Sequence, residues 1–198
     1  MAVRSAVRDW VDAQPPRSFF QTRDVPGSPR AVETALSRLA GDDGPITRVR
    51  QGLYWTKPPT TRFGSGRPDP LGAAMAVAGR GAGPAGWSAT QALGLSTQVP
   101  VVPTVAVLDR APKGLSGVRF VSRSNLDRRD LAPLEIAVLE VLRDFPAYTD
   151  PGVDTDDLRA RLGALVAANR IDADRLVAVA DREHHAGVRD RAESLLGA

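Results

Sequence analysis

Proline and glycine punctuate the start of this chain so closely that only short elements fit between them. The breaks are Pro15-Pro16, Gly27-Ser28-Pro29, Gly41-Asp42-Asp43-Gly44-Pro45 and Gln51-Gly52. Proline removes a backbone donor and fixes φ, while glycine turns the chain at little steric cost. Before the first break, Val3, Val7, Trp10 and Val11 recur at helical spacing, which predicts a helix stopped by Pro15. Phe19-Phe20 open a second short helix, with Thr22 and Asp24 as caps and Gly27 as its end. Ser28-Pro29 then reads as a helix start, Ser at the N-cap and Pro at the first helical position. That helix carries Val32, Leu36 and Leu39 on one face and leaves Arg30, Glu33, Thr34, Ser37 and Arg38 on the others. Two β-prone runs, 46–50 and 53–56, flank Gln51-Gly52 and predict a hairpin. Three helices followed by a hairpin outline a winged helix-turn-helix, expected over residues 1–57.

Residues 58–70 read as a linker, because Pro58-Pro59, Gly64, Gly66 and Pro68 prevent regular pairing. The remainder, 71–198, is expected to form a C-terminal α+β domain, mixed over 71–131 and helical over 132–198. Within it, 70–78 can be a small-residue helix, Gly79 to Gly83 a flexible break, and 88–93 a short helix ended by Gly94. Runs 104–108 and 118–122 are strand-like, and the turn-rich Arg110-Ala111-Pro112-Lys113-Gly114 between them suggests a hairpin. Leu134, Val138, Val141 and Leu142 stripe a helix between Pro133 and Pro146. Asp154 and Asp172 can cap the next two helices, with Ile171 and Leu176 placed as a hydrophobic staple, and 188–196 completes the set. The expected fold class is therefore α+β, with the winged helix first, a mixed segment next and helices last.

The chain has 198 residues, of which 42% are hydrophobic and 25% charged, so a globular chain is expected rather than a disordered one. The absence of Cys excludes disulfide scaffolds, Cys-based metal centres and cysteine nucleophiles. No run approaches the about 18 apolar residues of a membrane span. Arg4, Arg8, Asp9 and Asp12 interrupt the N-terminal segment where a signal peptide would be apolar. A cytoplasmic protein without membrane contact is the expectation. Charge is uneven along the chain: 1–68 carries 11 basic and 6 acidic residues, 69–131 carries 7 and 4, and 132–198 carries 8 and 13. A basic front favours a polyanionic partner.

The residues for such a partner are Ser28, Arg30, Thr34 and Arg38 on the third helix, with Arg48, Arg50 and Gln51 on or beside the hairpin tip. Arg can hold guanine through two hydrogen bonds, and Thr offers a hydroxyl or methyl to a base edge. Arginines on the hairpin suit phosphate or minor-groove contact. The competing reading is a module that docks a protein, with a merely solvated basic face. Gly79-Arg80-Gly81-Ala82-Gly83 lacks the preceding strand and following Gly-Lys-Ser/Thr of a phosphate loop. Glu183-His184-His185 offers no third metal ligand, and adjacent histidines do not share a helix face. A serine nucleophile has only these two histidines for a base, and no G-x-S-x-G elbow is present. No catalytic residue, cofactor or metal is therefore expected, and an enzyme is the least favoured class.

One stretch is distinctive as a whole. Arg50-Gln51-Gly52-Leu53-Tyr54-Trp55 followed by Lys57-Pro58, then Arg62-Phe63-Gly64 with Pro68, then Gly86-Trp87-Ser88-Ala89-Thr90-Gln91-Ala92-Leu93-Gly94-Leu95-Ser96-Thr97-Gln98-Val99-Pro100, resemble in order the AbiEi-type antitoxins of type IV toxin–antitoxin (abortive infection) systems. The likeness runs from about residue 18 to residue 108. It implies a transcriptional regulator whose N-terminal winged helix represses its own promoter, on double-stranded operator DNA, with a homodimer on DNA as a compatible state. It also implies a C-terminal part that counters a nucleotidyltransferase-like toxin, with or without a direct complex. A lone regulator without antitoxin activity is the alternative. Within the block, Gly94 suits a left-handed helix end, Leu93 and Leu95 point inward, and Gln98-Val99-Pro100 leaves in extended form.

Overall fold

A computed structural model describes residues 2–41, 43–59, 66–108 and 110–197, with side chains from Ser5 onward. The fold is α+β, with eight α-helices and two three-stranded sheets among the described residues. It divides into two compact units, Met1–Val77 and Ala78–Ala198.

The first unit runs α1 (Ala2–Asp12), β1 (Phe19–Gln21), a 3-10 turn (Thr22–Asp24), α2 (Pro29–Leu39), β2 (Ile46–Arg50), β3 (Leu53–Thr56) and α3 (Pro70–Ala78). Its strands are antiparallel in the order β1-β3-β2. The short second helix expected from Phe19-Phe20 is instead a strand followed by a single 3-10 turn. Aromatic residues favour extended pairing, and Phe20 pairs with Tyr54 and stacks on its ring at 5.7 Å. Only Thr22–Asp24 then remains before Val25-Pro26-Gly27, too little for an α-helix. Val7, Val11, Phe20, Val32, Leu36, Ile46 and Tyr54 make one buried cluster.

The composition-based linker ends where α3 begins. Residues 60–65, including Arg62-Phe63-Gly64, lie outside the described residues. Asp69 caps α3, accepting from the backbone N–H of Gly72 at 2.8 Å. Gly72 lets the helix lie against β1: a Cβ there would be 2.8 Å from the Phe19 ring. Gln21 Nε2 donates to the Ala76 carbonyl at 2.7 Å. These contacts put α3 with the first unit, so the division falls at Val77–Ala78 and not at 58–70.

The second unit runs β4 (Gly83–Ala85), α4 (Trp87–Ala92), β5 (Thr104–Val107), β6 (Arg119–Ser122), a 3-10 turn (Leu126–Asp130), α5 (Pro133–Asp144), α6 (Thr155–Ala167), α7 (Ala173–Asp181) and α8 (Ala186–Leu196). Two expectations are corrected here. Strands β5 and β6 do not form a hairpin but pair in parallel, Thr104 beside Arg119 through Val107 beside Ser122. The connection carries Gly114 and Gly117 at φ +77° and +74°, which lets the chain double back so that Arg119 N–H donates to the Pro103 carbonyl at 2.9 Å. The glycine-rich break is also not uniformly irregular. Gly83 opens β4, and a Cβ there would stand 2.6 Å from Ile136 Cβ and 2.7 Å from the Pro133 carbonyl oxygen. Glycine is what allows α5 to close on the sheet.

Helix α5 is central and buried on every side, with Ile136, Ala137, Val138, Leu139 and Leu142 all in the core. Asp154 and Asp172 cap α6 and α7 through their side chains, and Ile171 and Leu176 are both buried. The central helix also buries Glu135 and Glu140. Glu140 accepts from Arg123 at 2.6 and 2.8 Å and from Arg128 at 2.6 Å. Arg128, wholly buried, donates its Nε to Glu183 at 2.6 Å, and Glu183 also accepts from Arg143 and Asn125. Burial alone would raise both glutamates, but the hydrogen bond from Arg123 and the charges of Arg128 and Arg123 hold Glu140 below its usual range. Arg128, Asn125 and Arg143 do the same for Glu183.

Replacing one half of such a network strands the other in a low-dielectric interior. Glu140→Ala is expected to cost about 3–5 kcal/mol in urea unfolding. Both carboxyls titrate lower when folded than when unfolded. Their contribution is therefore complete above the ordinary glutamate value of 4.5 and is lost as pH falls below it through the depressed folded values. Acid titration of unfolding should show this loss in the native protein and a smaller one in Glu140→Gln.

Candidate nucleic-acid interface

Helix α2 is amphipathic by sequence and is seated accordingly. Val32, Ala35 and Leu36 are buried, while Ser28, Arg30, Glu33, Thr34, Ser37 and Arg38 are exposed. Arg30, Thr34 and Arg38 follow each other at i, i+4 and i+8, so they form one row on the face away from Leu36. Glu33 lies off this row, on its flank. Ser28 occupies the N-cap, but its side chain makes no capping hydrogen bond; Pro29 at the first turn sets the helix start. The Thr34 hydroxyl donates to the Arg30 carbonyl at 2.8 Å, so its proton is committed although the residue is exposed. Arg38 stands in the last turn, where a cation is favoured by the helix dipole.

The hairpin has the expected two-residue tip, with Gly52 at φ +75°. Its register shifts between Arg48 and Arg50, so Val49 is an extra residue on β2 and the strand bulges just before the tip. Arg48 faces Tyr54 across the ladder and Arg50 faces Leu53. Arg48 and Gln51 are exposed and Arg50 is half-buried.

Sequence reasoning missed Arg23. The 3-10 turn is tied to the tip, Thr22 N–H donating to the Gly52 carbonyl at 3.0 Å. Arg23, exposed, then shares a hollow of about 250 Å³ with Arg50, Gln51 and Gly52. The signal lies in Thr22-Arg23-Asp24 next to Pro26-Gly27, residues that suit helix caps equally well.

In the second unit, Glu183 is buried in the ion network, His184 is exposed and His185 sits at the N-cap of α8. Among the described residues no three His, Cys, Asp or Glu side chains gather as a metal-holding group. No helix among them is long and apolar enough to cross a membrane. Part of the charge imbalance read from the sequence is internal, because Arg123 and Arg128 neutralise Glu140 and Glu183.

No protein-family model and no curated protein matches this chain. Among solved structures, the crystal structure of the RV2827C protein from Mycobacterium tuberculosis is similar at 20% identity and a TM-score of 0.45, over 99% of this chain and 76% of that one.

Beneath α2 and the hairpin, the Tyr54 hydroxyl is buried with no hydrogen-bond partner among the described residues. Burial raises its pKa, Arg48 opposes that rise and Glu33 adds to it. An unsatisfied buried hydroxyl costs about 1–3 kcal/mol. Tyr54→Phe, which keeps the ring stack on Phe20, should therefore leave stability equal or raise it by about 1 kcal/mol in chemical denaturation.

Proposed function

We propose that the first unit is a winged helix-turn-helix that reads double-stranded DNA, with α2 as its recognition helix and the β2–β3 hairpin as its wing. The observation that carries this reading is the exposed Arg30–Thr34–Arg38 row, opposite the buried Val32/Leu36 face. A recognition helix presents its N-terminal residues to base edges. Arg30 serves guanine and Thr34 the methyl or edge of a neighbouring base, while Arg38 reaches phosphate. Arg48, Arg50 and Gln51 on the wing, with Ser28 at the helix start, serve the backbone or minor groove. The order helix, strand, short turn, helix and hairpin, with the first strand paired to the last, supports the same module. The alternative of a protein-docking face is disfavoured because the outward residues of α2 are charged or polar rather than apolar.

The chain is, in this reading, a cytoplasmic transcriptional autorepressor that acts by binding rather than catalysis. The resemblance of residues 50–58 and 86–100 to AbiEi-type antitoxins supports extending it to the antitoxin of a type IV pair. Expressing the neighbouring gene with and without this one tests that extension: a harmless neighbour would remove the antitoxin role and leave the repressor.

Gel-shift titration with the chain's own upstream DNA, at two salt concentrations, tests the DNA reading. Arg30→Ala should weaken operator binding by about 1–3 kcal/mol while sparing scrambled DNA. Arg48→Ala or Arg50→Ala should weaken binding to every sequence and lower the salt slope by about one each. Equal affinity for operator and scrambled DNA would refute sequence reading.

A further inference from the structure

The second unit holds a groove of about 460 Å³ that the DNA reading does not use. Val121 of β6 lines it, together with Trp87 and Tyr148, whose rings meet edge to face at 5.7 Å. Its rim is the stretch 98–102, in which Val99 is 75% exposed, Val101 98% and Val102 47%. This rim is anchored. Asp150 accepts from the Ser96 hydroxyl at 2.7 Å, and from the Thr97 backbone at 2.8 Å and hydroxyl at 2.9 Å. Asp150 N–H donates in turn to the Leu95 carbonyl at 3.2 Å. An ordered polar clasp thus holds an apolar ridge in water, beside a hollow that can take such a ridge. Contiguous exposed apolar surface of this kind marks an association site.

The charges on the groove select the occupant. Arg119, Arg123, Glu140 and Asp144 line it. Arg123 and Glu140 satisfy each other. The Arg119 side chain has no ion pair or hydrogen bond among the described residues, and Asp144 acts on Arg123 only through space. One cation and one carboxylate are left unmatched on a single patch. An acidic or a basic partner would match one of them and be repelled by the other. A second copy of the patch satisfies both, because a two-fold interface sets residue i against j and j against i.

We propose that this groove is the self-association surface of the chain. Two copies dock about a two-fold axis, the Val99–Val102 ridge of each seated in the hollow of the other, with Arg119 of each facing Asp144 of the other. The proposal goes beyond the DNA reading and does not depend on it. Sedimentation velocity of the full chain without DNA, across a wide concentration range, tests it. The expected result is a concentration-dependent monomer–dimer equilibrium that Val101→Asp weakens at least about tenfold, roughly 1.4 kcal/mol. Circular dichroism should be unchanged in that variant, because Val101 is almost fully solvated. Arg119→Asp and Asp144→Arg should each weaken the dimer, and the double swap should restore it. A monomer throughout, a dimer that Val101→Asp leaves intact, or a double swap no tighter than the single ones overturns the proposal. Failure of operator binding leaves this readout untouched, so the two ideas can fall separately.

Discussion

Arg128 lies at the heart of the second unit with no exposed surface, and a cation in that position must be matched or it unfolds its surroundings. The match comes from Glu140 on the central helix, 12 residues on, and Glu183 just past the end of α7, 55 residues on. Each glutamate reaches a second arginine nearer the surface, Arg123 and Arg143. Asn125 adds a bond to the Val179 carbonyl on α7. The 3-10 turn, α5 and the α7–α8 junction must therefore arrive together. Such a network adds little over an apolar core of the same volume, but an incomplete one is worse than either. Its effect is to penalise partly assembled arrangements, which keeps one packing of the helices.

The first unit works under the opposite constraint. It has few residues to bury, so its core relies on aromatics and a handful of aliphatics, Trp10 against Phe20 and Phe20 against Tyr54. Charge is kept outward on α2 and on the hairpin. The small core seats α2 by Val32 and Leu36, and the same seating fixes which way its arginines face. Packing and presentation are thus set by one helical period.

Periodicity and punctuation made much of this legible beforehand. Ser28-Pro29, Gln51-Gly52, Asp154 and Asp172 are local signals acting on their own backbone, and each marks an element end in the fold. The outward residues of α2 follow from the same period. What escaped is non-local. Whether 104–108 and 118–122 pair in parallel depends on where their connection leads, and turn residues between them do not specify that. Gly83 looked like slack because the helix that needs its missing side chain lies some fifty residues on. Nothing beside Glu183 in the sequence announces Arg128, which lies 55 residues before it. Arg23 was overlooked because three residues can be a frayed helix or a turn, and only pairing of Phe20 with Tyr54 decides.

The contact of α3 with β1 has a bearing on how the chain can be dissected. A cut at the proline-rich stretch after Lys57 looks natural by composition, yet it would strip away the helix that covers Phe19 and would leave the Gln21 amide without its acceptor. The fragment would bare the Phe19 ring on an edge strand, apolar surface of the kind that sticks to its own copies. Severed after residue 78 instead, the first unit keeps this cover.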